Sequence, residues 1–156
     1  MCGIIGFLTS KAQNITDYGV LREMRESLFH RGPDDMGEYI RPLDERAPFV
    51  FLGHRRLSII DLSGGHQPLS NEDGTVWVVL NGEIYNFREL REELKGKGHQ
   101  FRTLSDTEVI VHAYEEYKEN CFRYFNGMFA IGIWDEKENR LVLARDRLGK
   151  KPLYYS

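Results

Sequence analysis

Only two of the 156 residues are cysteine, Cys2 and Cys121, and only five are proline. Two thiols set so far apart support neither a disulfide framework nor a cysteine-based zinc site. Charge of one sign is scarce as well. The chain has 21 Lys and Arg against 24 Asp and Glu, a net charge of -3 with both signs mixed along its length. That excludes the basic field that gathers nucleic acid and the acidic tail of a charged segment, and it points to a small-molecule ligand. Long apolar runs are missing too. The stretch from Gly3 to Leu8 is too short for a signal-peptide core and lacks a cationic start, and nothing reaches membrane-spanning length. A soluble, cytoplasmic protein with no membrane or nucleic-acid partner is expected.

What is present suffices for one substantial core. With 41% hydrophobic, 12% aromatic and 29% charged residues, the chain fits a single globular domain without repeats or low-complexity stretches. Strand-like segments alternate with helical ones, which argues for mixed α and β structure. Gly3 to Leu8, Phe49 to Gly53, Thr75 to Leu80, Met128 to Asp135 and Arg140 to Arg145 read as strands, the last two as a hairpin, and Leu153 to Tyr155 closes the chain as another. Leu21, Met24 and Leu28 mark a helix after Thr16 or Asp17, stopped by Arg31-Gly32-Pro33-Asp34-Asp35. Asn86 with Glu89 predicts a capped short helix bearing Phe87, Leu90 and Leu94. Ser105-Asp106-Thr107-Glu108 predicts another, with Val109, Ile110, Ala113, Tyr114 and Tyr117 on one side.

The residues that matter for chemistry interrupt these elements. Removal of Met1 places the Cys2 thiol beside a free α-amine, and an amine titrating near ~8 serves as its base near neutral pH. A small apolar residue opening a strand would look the same. Asn81-Gly82-Glu83 sets a side-chain amide, an unobstructed backbone N–H and a carboxylate in a row; this suits an oxyanion hole, although the dipeptide by itself favours an ordinary Asn-Gly turn joining two strands. Arg56 offers a planar fork for a carboxylate or a surface partner for Asp61. Asp106 is an expected helix N-cap whose carboxylate also fits a substrate ammonium. Together these groups describe recognition of an amino acid whose side chain is attacked, as glutamine would be. Cys121, set among Phe122, Tyr124 and Phe125, reads as core. His30, His54, His66, His99 and His112 fall in five separate elements without tight ligand spacing, so no metal site is expected, and His30 is assigned a structural hydrogen bond in its turn.

At these residues a family resemblance emerges. Met1-Cys2-Gly3-Ile4, His30 to Asp34, Arg56 to Ile59, Asn81 to Asn86, Ser105 to Glu108 and Arg145 to Gly149 resemble class II glutamine amidotransferases, and more narrowly the glutaminase domain of glutamine-hydrolysing asparagine synthetase. The motifs span nearly the whole chain in family order. The resemblance implies an α+β fold, the N-terminal nucleophile hydrolase αββα sandwich of two antiparallel sheets, as one amidotransferase type 2 domain over residues 1–156. It implies Cys2 as nucleophile, its freed amine as base, and the Asn81 side chain with Gly82 N–H as oxyanion hole. Arg56 would hold the α-carboxylate and Glu83 and Asp106 the α-ammonium, with Leu57, Ile59 and Asn86 shaping the pocket.

The family continues past the Leu148 to Tyr155 segment, so the sequence is expected to be truncated at its C-terminal end and to lack a synthetase domain. Missing strands would expose a sheet edge, favouring marginal stability or a homo-oligomer. ATP and Mg would be used by the absent synthetase part, and this chain is expected to need no cofactor. A longer gene product or a separate synthetase subunit would then be the partner. Two alternatives stand beside this reading: a non-catalytic module that binds glutamine or a partner, and an amidotransferase domain serving a sugar phosphate or phosphoribosyl diphosphate.

Overall fold

The computed structural model describes residues 2–11, 17–58, 61 and 64–156. Among these residues, seven strands form two antiparallel sheets. The first has the order β1-β3-β2, with β1 Gly3–Thr9, β2 Asp35–Arg41 and β3 Phe49–Arg56. The second has the order β4-β5-β6-β7, with β4 Leu69–Ser70, β5 Val76–Ile84, β6 Gly127–Asp135 and β7 Arg140–Arg145. The helices are α1 Tyr18–Glu26, α2 Phe87–Gly96 and α3 Asp106–Tyr117.

Strand parity assigns every layer, because alternate side chains leave opposite faces of a sheet. In β3, Phe49 and Phe51 pack outward with Leu21 of α1, whereas Val50 and Leu52 pack inward with Val79 and Trp134 of the second sheet. In β5, Val76, Val78, Leu80 and Ile84 face α2 and α3, while Trp77 and Val79 face the first sheet. The result is α1, sheet, sheet, then α2 and α3, which is the αββα sandwich that the resemblance implies.

Several expectations need correction. β3 and β5 run past their expected ends, through Arg56 and Ile84, so Asn81-Gly82-Glu83 lies inside a strand and not in an Asn-Gly turn. β2 was not expected, because its sequence Asp-Met-Gly-Glu-Tyr-Ile-Arg has a weak apolar pattern; as an edge strand it buries only Gly37. No strand forms at Leu153 to Tyr155, where Tyr154 and Tyr155 are exposed. Of the stripe on α1, Leu21 is buried but Met24 is exposed; Asp17 caps the helix by accepting from Gly19 N–H at 2.8 Å, and Thr16 lies outside the described residues. Asn86 precedes α2 but makes no side-chain cap bond. Ser105, not Asp106, is the N-cap of α3, accepting from Thr107 N–H at 3.2 Å. Cys121 is fully buried, as expected, and burial pushes its thiol up to about 12. Among the described residues, no helix is long and apolar enough to cross a membrane.

Candidate active site

The inward parity that builds the inter-sheet core also builds the site. Val50 and Leu52 point inward, so His54 and Arg56 do too; Ile4 points inward, so Cys2 follows; Trp77 and Val79 point inward, so Asn81 and Glu83 follow. The hydrophobic inner face therefore becomes polar at one end. There a pocket of ≈ 110 Å³ is lined by Cys2, Arg56, Leu57, Asn81, Gly82, Glu83 and Asp106, together with Gln67 and Lys151.

Cys2 is half-buried at the start of β1, its Sγ 3.8 Å from the Leu57 carbonyl. Its own carbonyl accepts from Arg31 Nε at 3.0 Å. Arg31 belongs to the His30 to Asp34 turn, whose other members fix the neighbouring loop. Asp34 Oδ2 accepts from Ser58 N–H at 2.8 Å, and Gly32 O accepts from Arg55 Nε at 3.0 Å. A Cβ on Gly32 would lie 2.4 Å from the Arg55 backbone, so only glycine permits this approach. His30 Nδ1 lies 3.1 Å from Ser27 O, matching the structural role expected of it.

Arg56 is 5% exposed, which rules out a surface arginine. One of its contacts is to the Asp61 main-chain oxygen, from Nη2 at 2.5 Å. The Asp61 carboxylate turns elsewhere, to Gly64 and Leu104 N–H at 2.9 and 2.7 Å. A side chain on Gly65 would collide with Arg56 Nη2 at 2.2 Å, so the small residue keeps room for the guanidinium.

On the opposite wall, Asn81 is buried, and among the described residues its Oδ1 has no hydrogen-bond partner. An unpartnered buried carboxamide oxygen is unusual in a core and expected where a ligand completes the site. The ladder explains Gly82. Tyr85 N–H reaches Asn126 O and Glu136 N–H reaches Thr75 O, so odd-numbered residues of β5 bond to β6 and even-numbered ones turn their backbone groups to the other edge. The Gly82 N–H therefore faces the pocket edge, and a Cβ there would stand 2.1 Å from Met128 O.

Asp106 opens α3 and is 5% exposed, with Oδ2 accepting from Ile84 N–H at 2.9 Å. Burial pushes its carboxyl pKa up, and the nearby Glu83 charge adds to the shift. Two carboxylates in one pocket create a place for a cation. Asn86 is not brought into this wall. Its amide donates to Tyr124 O and accepts from Asn126 N–H, both at 2.9 Å, pinning the entry to β6. Ile59 lies outside the described residues. Gln67 and Lys151 were missed, because neither sits in a pattern that sequence periodicity marks.

His99, His112 and Glu115 come together on the far side, within 4.8 Å of one another, although their sequence spacing did not suggest it. His112 is buried, with Nδ1 2.8 Å from Glu115 and Nε2 3.9 Å from both Glu108 and Glu72. These groups partner one another as an ion-pair network.

The geometry defines a class: a thiol, amide donors, an arginine and two carboxylates gathered in one pocket, a set suited to a small zwitterion. The chain belongs to the glutamine amidotransferase domain family, whose profile matches residues 1–156. Asparagine synthetase [glutamine-hydrolyzing] 1 of Bacillus subtilis (strain 168) is 47% identical over 158 residues, covering 100% of this chain and 24% of that protein. Asparagine synthetase [glutamine-hydrolyzing] of Sandersonia aurantiaca is 44% identical over 154 residues, covering 99% and 28%. This chain thus spans about a quarter of the length of such relatives. Among solved structures, the glutamine phosphoribosylpyrophosphate amidotransferase of B. subtilis, complexed with ADP and GMP, matches with a TM-score of 0.63 at 22% identity. That match covers 92% of this chain and 37% of the other, and it supports the fold.

Proposed function

We propose that this chain hydrolyses glutamine to glutamate and ammonia and that the ammonia serves asparagine synthesis from aspartate, carried out by a synthetase domain or subunit. The observation that carries the proposal is the convergence of Cys2, Arg56, Asn81, Gly82, Glu83 and Asp106 on one pocket. In this reading Arg56 holds the α-carboxylate, Glu83 and Asp106 hold the α-ammonium, and the carboxamide lies between Cys2 and the Asn81–Gly82 donors. With Met1 removed, the Cys2 thiol gives its proton to the freed α-amine, and the sulfur attacks the side-chain amide carbon. The oxyanion takes hydrogen bonds from the Asn81 amide and Gly82 N–H, and ammonia leaves with the proton held by the amine. Water, deprotonated by the same amine, then cleaves the γ-glutamyl thioester and returns the thiol. ATP and Mg are assigned to the aspartate-activating part, and the cytoplasm is the proposed compartment.

The test is intact mass before and after incubation with 6-diazo-5-oxo-L-norleucine, with peptide mapping. Loss of Met1 and a single adduct on Cys2 are expected, followed by glutamine-dependent ammonia release. A retained Met1, or a processed chain without an adduct, would favour a non-catalytic binding module.

A further inference from the structure

Past its pairing with β4, the edge of β5 is held by side chains. β4 pairs only with Trp77 and Val78. Beyond that point Leu80, Gly82 and Ile84 turn their backbone groups to an edge that has no neighbouring strand among the described residues, and buried backbone donors need partners. Leu80 N–H donates to Gln67 Oε1 at 2.7 Å, Leu80 O lies 3.1 Å from His54 Nε2, and Ile84 N–H donates to Asp106 Oδ2 at 2.9 Å. Burial lowers the His54 pKa to about 4, so its ring is neutral and Nε2–H is the donor. Gly82, between these two fixed points, faces the pocket.

Gln67 does more than close the edge. Its Nε2 donates to Thr107 Oγ1 at 3.1 Å, one residue beyond Asp106. It is 6% exposed, it lines the pocket, and a Cβ on Gly37 of β2 would meet its carbonyl oxygen at 1.9 Å, so its backbone has no room to shift toward that strand. A primary amide suits this place because it presents an acceptor and a donor in one rigid plane.

We infer that Gln67 is a positioning residue: its amide straps the strand carrying the oxyanion donors to the helix carrying the ammonium acceptor, fixing the span between them. The inference rests on the proposed glutaminase reading. Glutamine must place its carboxamide at Asn81 and Gly82 and its ammonium at Asp106 together, and small misplacements at such a site are costly. An electrophile that needs only the thiol is insensitive to the span.

The experiment compares rates of Cys2 modification by 6-diazo-5-oxo-L-norleucine and by iodoacetamide in the wild type and in Gln67→Met, Thr107→Val and Thr107→Ser. The strap predicts that the amino-acid electrophile reacts about tenfold or more slowly with the Met and Val variants, with iodoacetamide rates unchanged and Thr107→Ser close to wild type. If Gln67→Met does not fold, the two Thr107 variants decide. Equal rates with the amino-acid electrophile in Thr107→Val and wild type would overturn the strap, as would a parallel fall with both reagents. A wild-type Cys2 that accepts iodoacetamide but never the amino-acid electrophile would instead remove the glutamine site, and with it the strap's purpose.

Discussion

Two carboxylates in the first turn of α3, two residues apart and both buried, are treated in opposite ways. Asp106 faces the pocket, where burial and the Glu83 charge push its pKa up. Glu108 faces the far side. Burial acts against its charge too, but His112 and the Arg102 and Thr103 donors bring it down to about 2. Its oxygens accept from Arg102 N–H, Thr103 N–H and Thr103 Oγ1 at 2.7, 2.8 and 2.7 Å. Around Glu108 these donors meet the carboxylate directly. On the pocket side, Asp106 Oδ2 accepts from Ile84 N–H, and on the opposite wall Asn81 Oδ1 has no partner among the described residues. The contrast separates polar groups that hold the fold from polar groups held ready for a ligand.

The sharpest test lies on the pocket side. Asn81→Ala removes one oxyanion donor, an effect of about 3 to 4 kcal/mol, so turnover in steady-state ammonia release should fall on the order of a hundredfold or more. Its melting temperature should barely move, because among the described residues Asn81 Oδ1 accepts no hydrogen bond. Near-wild-type turnover would take Asn81 out of the mechanism. The far side should show the reverse. Glu108→Ala strands two backbone N–H groups and a hydroxyl, and a loss of about 2 to 3 kcal/mol in denaturant unfolding is expected. In the fraction that remains folded, the KM for glutamine should stay within about twofold, since Glu108 touches none of the groups proposed to bind substrate.

Asp106→Asn joins the two sides, because the acid is helical, buried and proposed to bind an ammonium. The raised pKa means that the ionised form is disfavoured in the fold, a cost that is absent below the unfolded value near ~3.8 and present above the folded one. Replacement by the neutral amide should leave stability at pH 7 unchanged or higher, while KM for glutamine rises about tenfold or more. Lower stability together with an unchanged KM would place Asp106 with Glu108, among the residues that hold the fold.

How much of this was legible beforehand follows from what each signal encodes. Cys2, Arg56, Asn81, Gly82, Glu83 and Asp106 stood in motifs, and the pocket gathers all six. The inward direction of Cys2, Arg56, Asn81 and Glu83 rests on strand parity, and in β3 and β5 that was hidden because both strands were read as ending before their polar residues. An apolar run that turns polar looks like a strand end, although here it is a strand whose inner face passes from core to pocket. Gln67 was invisible for a different reason. It sits outside the apolar patterns, and its value lies in joining Leu80, 13 residues further along the chain, to Thr107, 40 residues further along. Asn86 is not among the pocket's lining residues and its amide pins a loop, a direction that a motif position does not convey. The Ser105 to Glu108 capping pattern was half right. Ser105 caps the helix, but Glu108 binds Arg102 and Thr103 N–H, leaving Ser105 N–H to Thr103 Oγ1 at 3.1 Å.

The smallest effect concerns pH. His112 is enclosed by Glu72 from the segment before β5, by Glu108 and Glu115 of α3, and by His99 ahead of that helix. Burial alone would lower its pKa, but the Glu108 and Glu115 carboxylates outweigh that and push it up to about 9. A folded value above the unfolded one near ~6.5 means that the stabilisation is fully present below that pH and fades as pH rises through about 9. Shared between the ring and its acids, the effect is on the order of 1 to 2 kcal/mol. Wild type and His112→Gln should therefore differ most in stability at pH 6 and converge by pH 10, a range in which the Glu108 and Glu115 carboxyls, both lowered, stay ionised. A stability difference that does not change over that range would mean that His112 acts through packing against Phe101, 4.6 Å between ring centroids, and not through its charge.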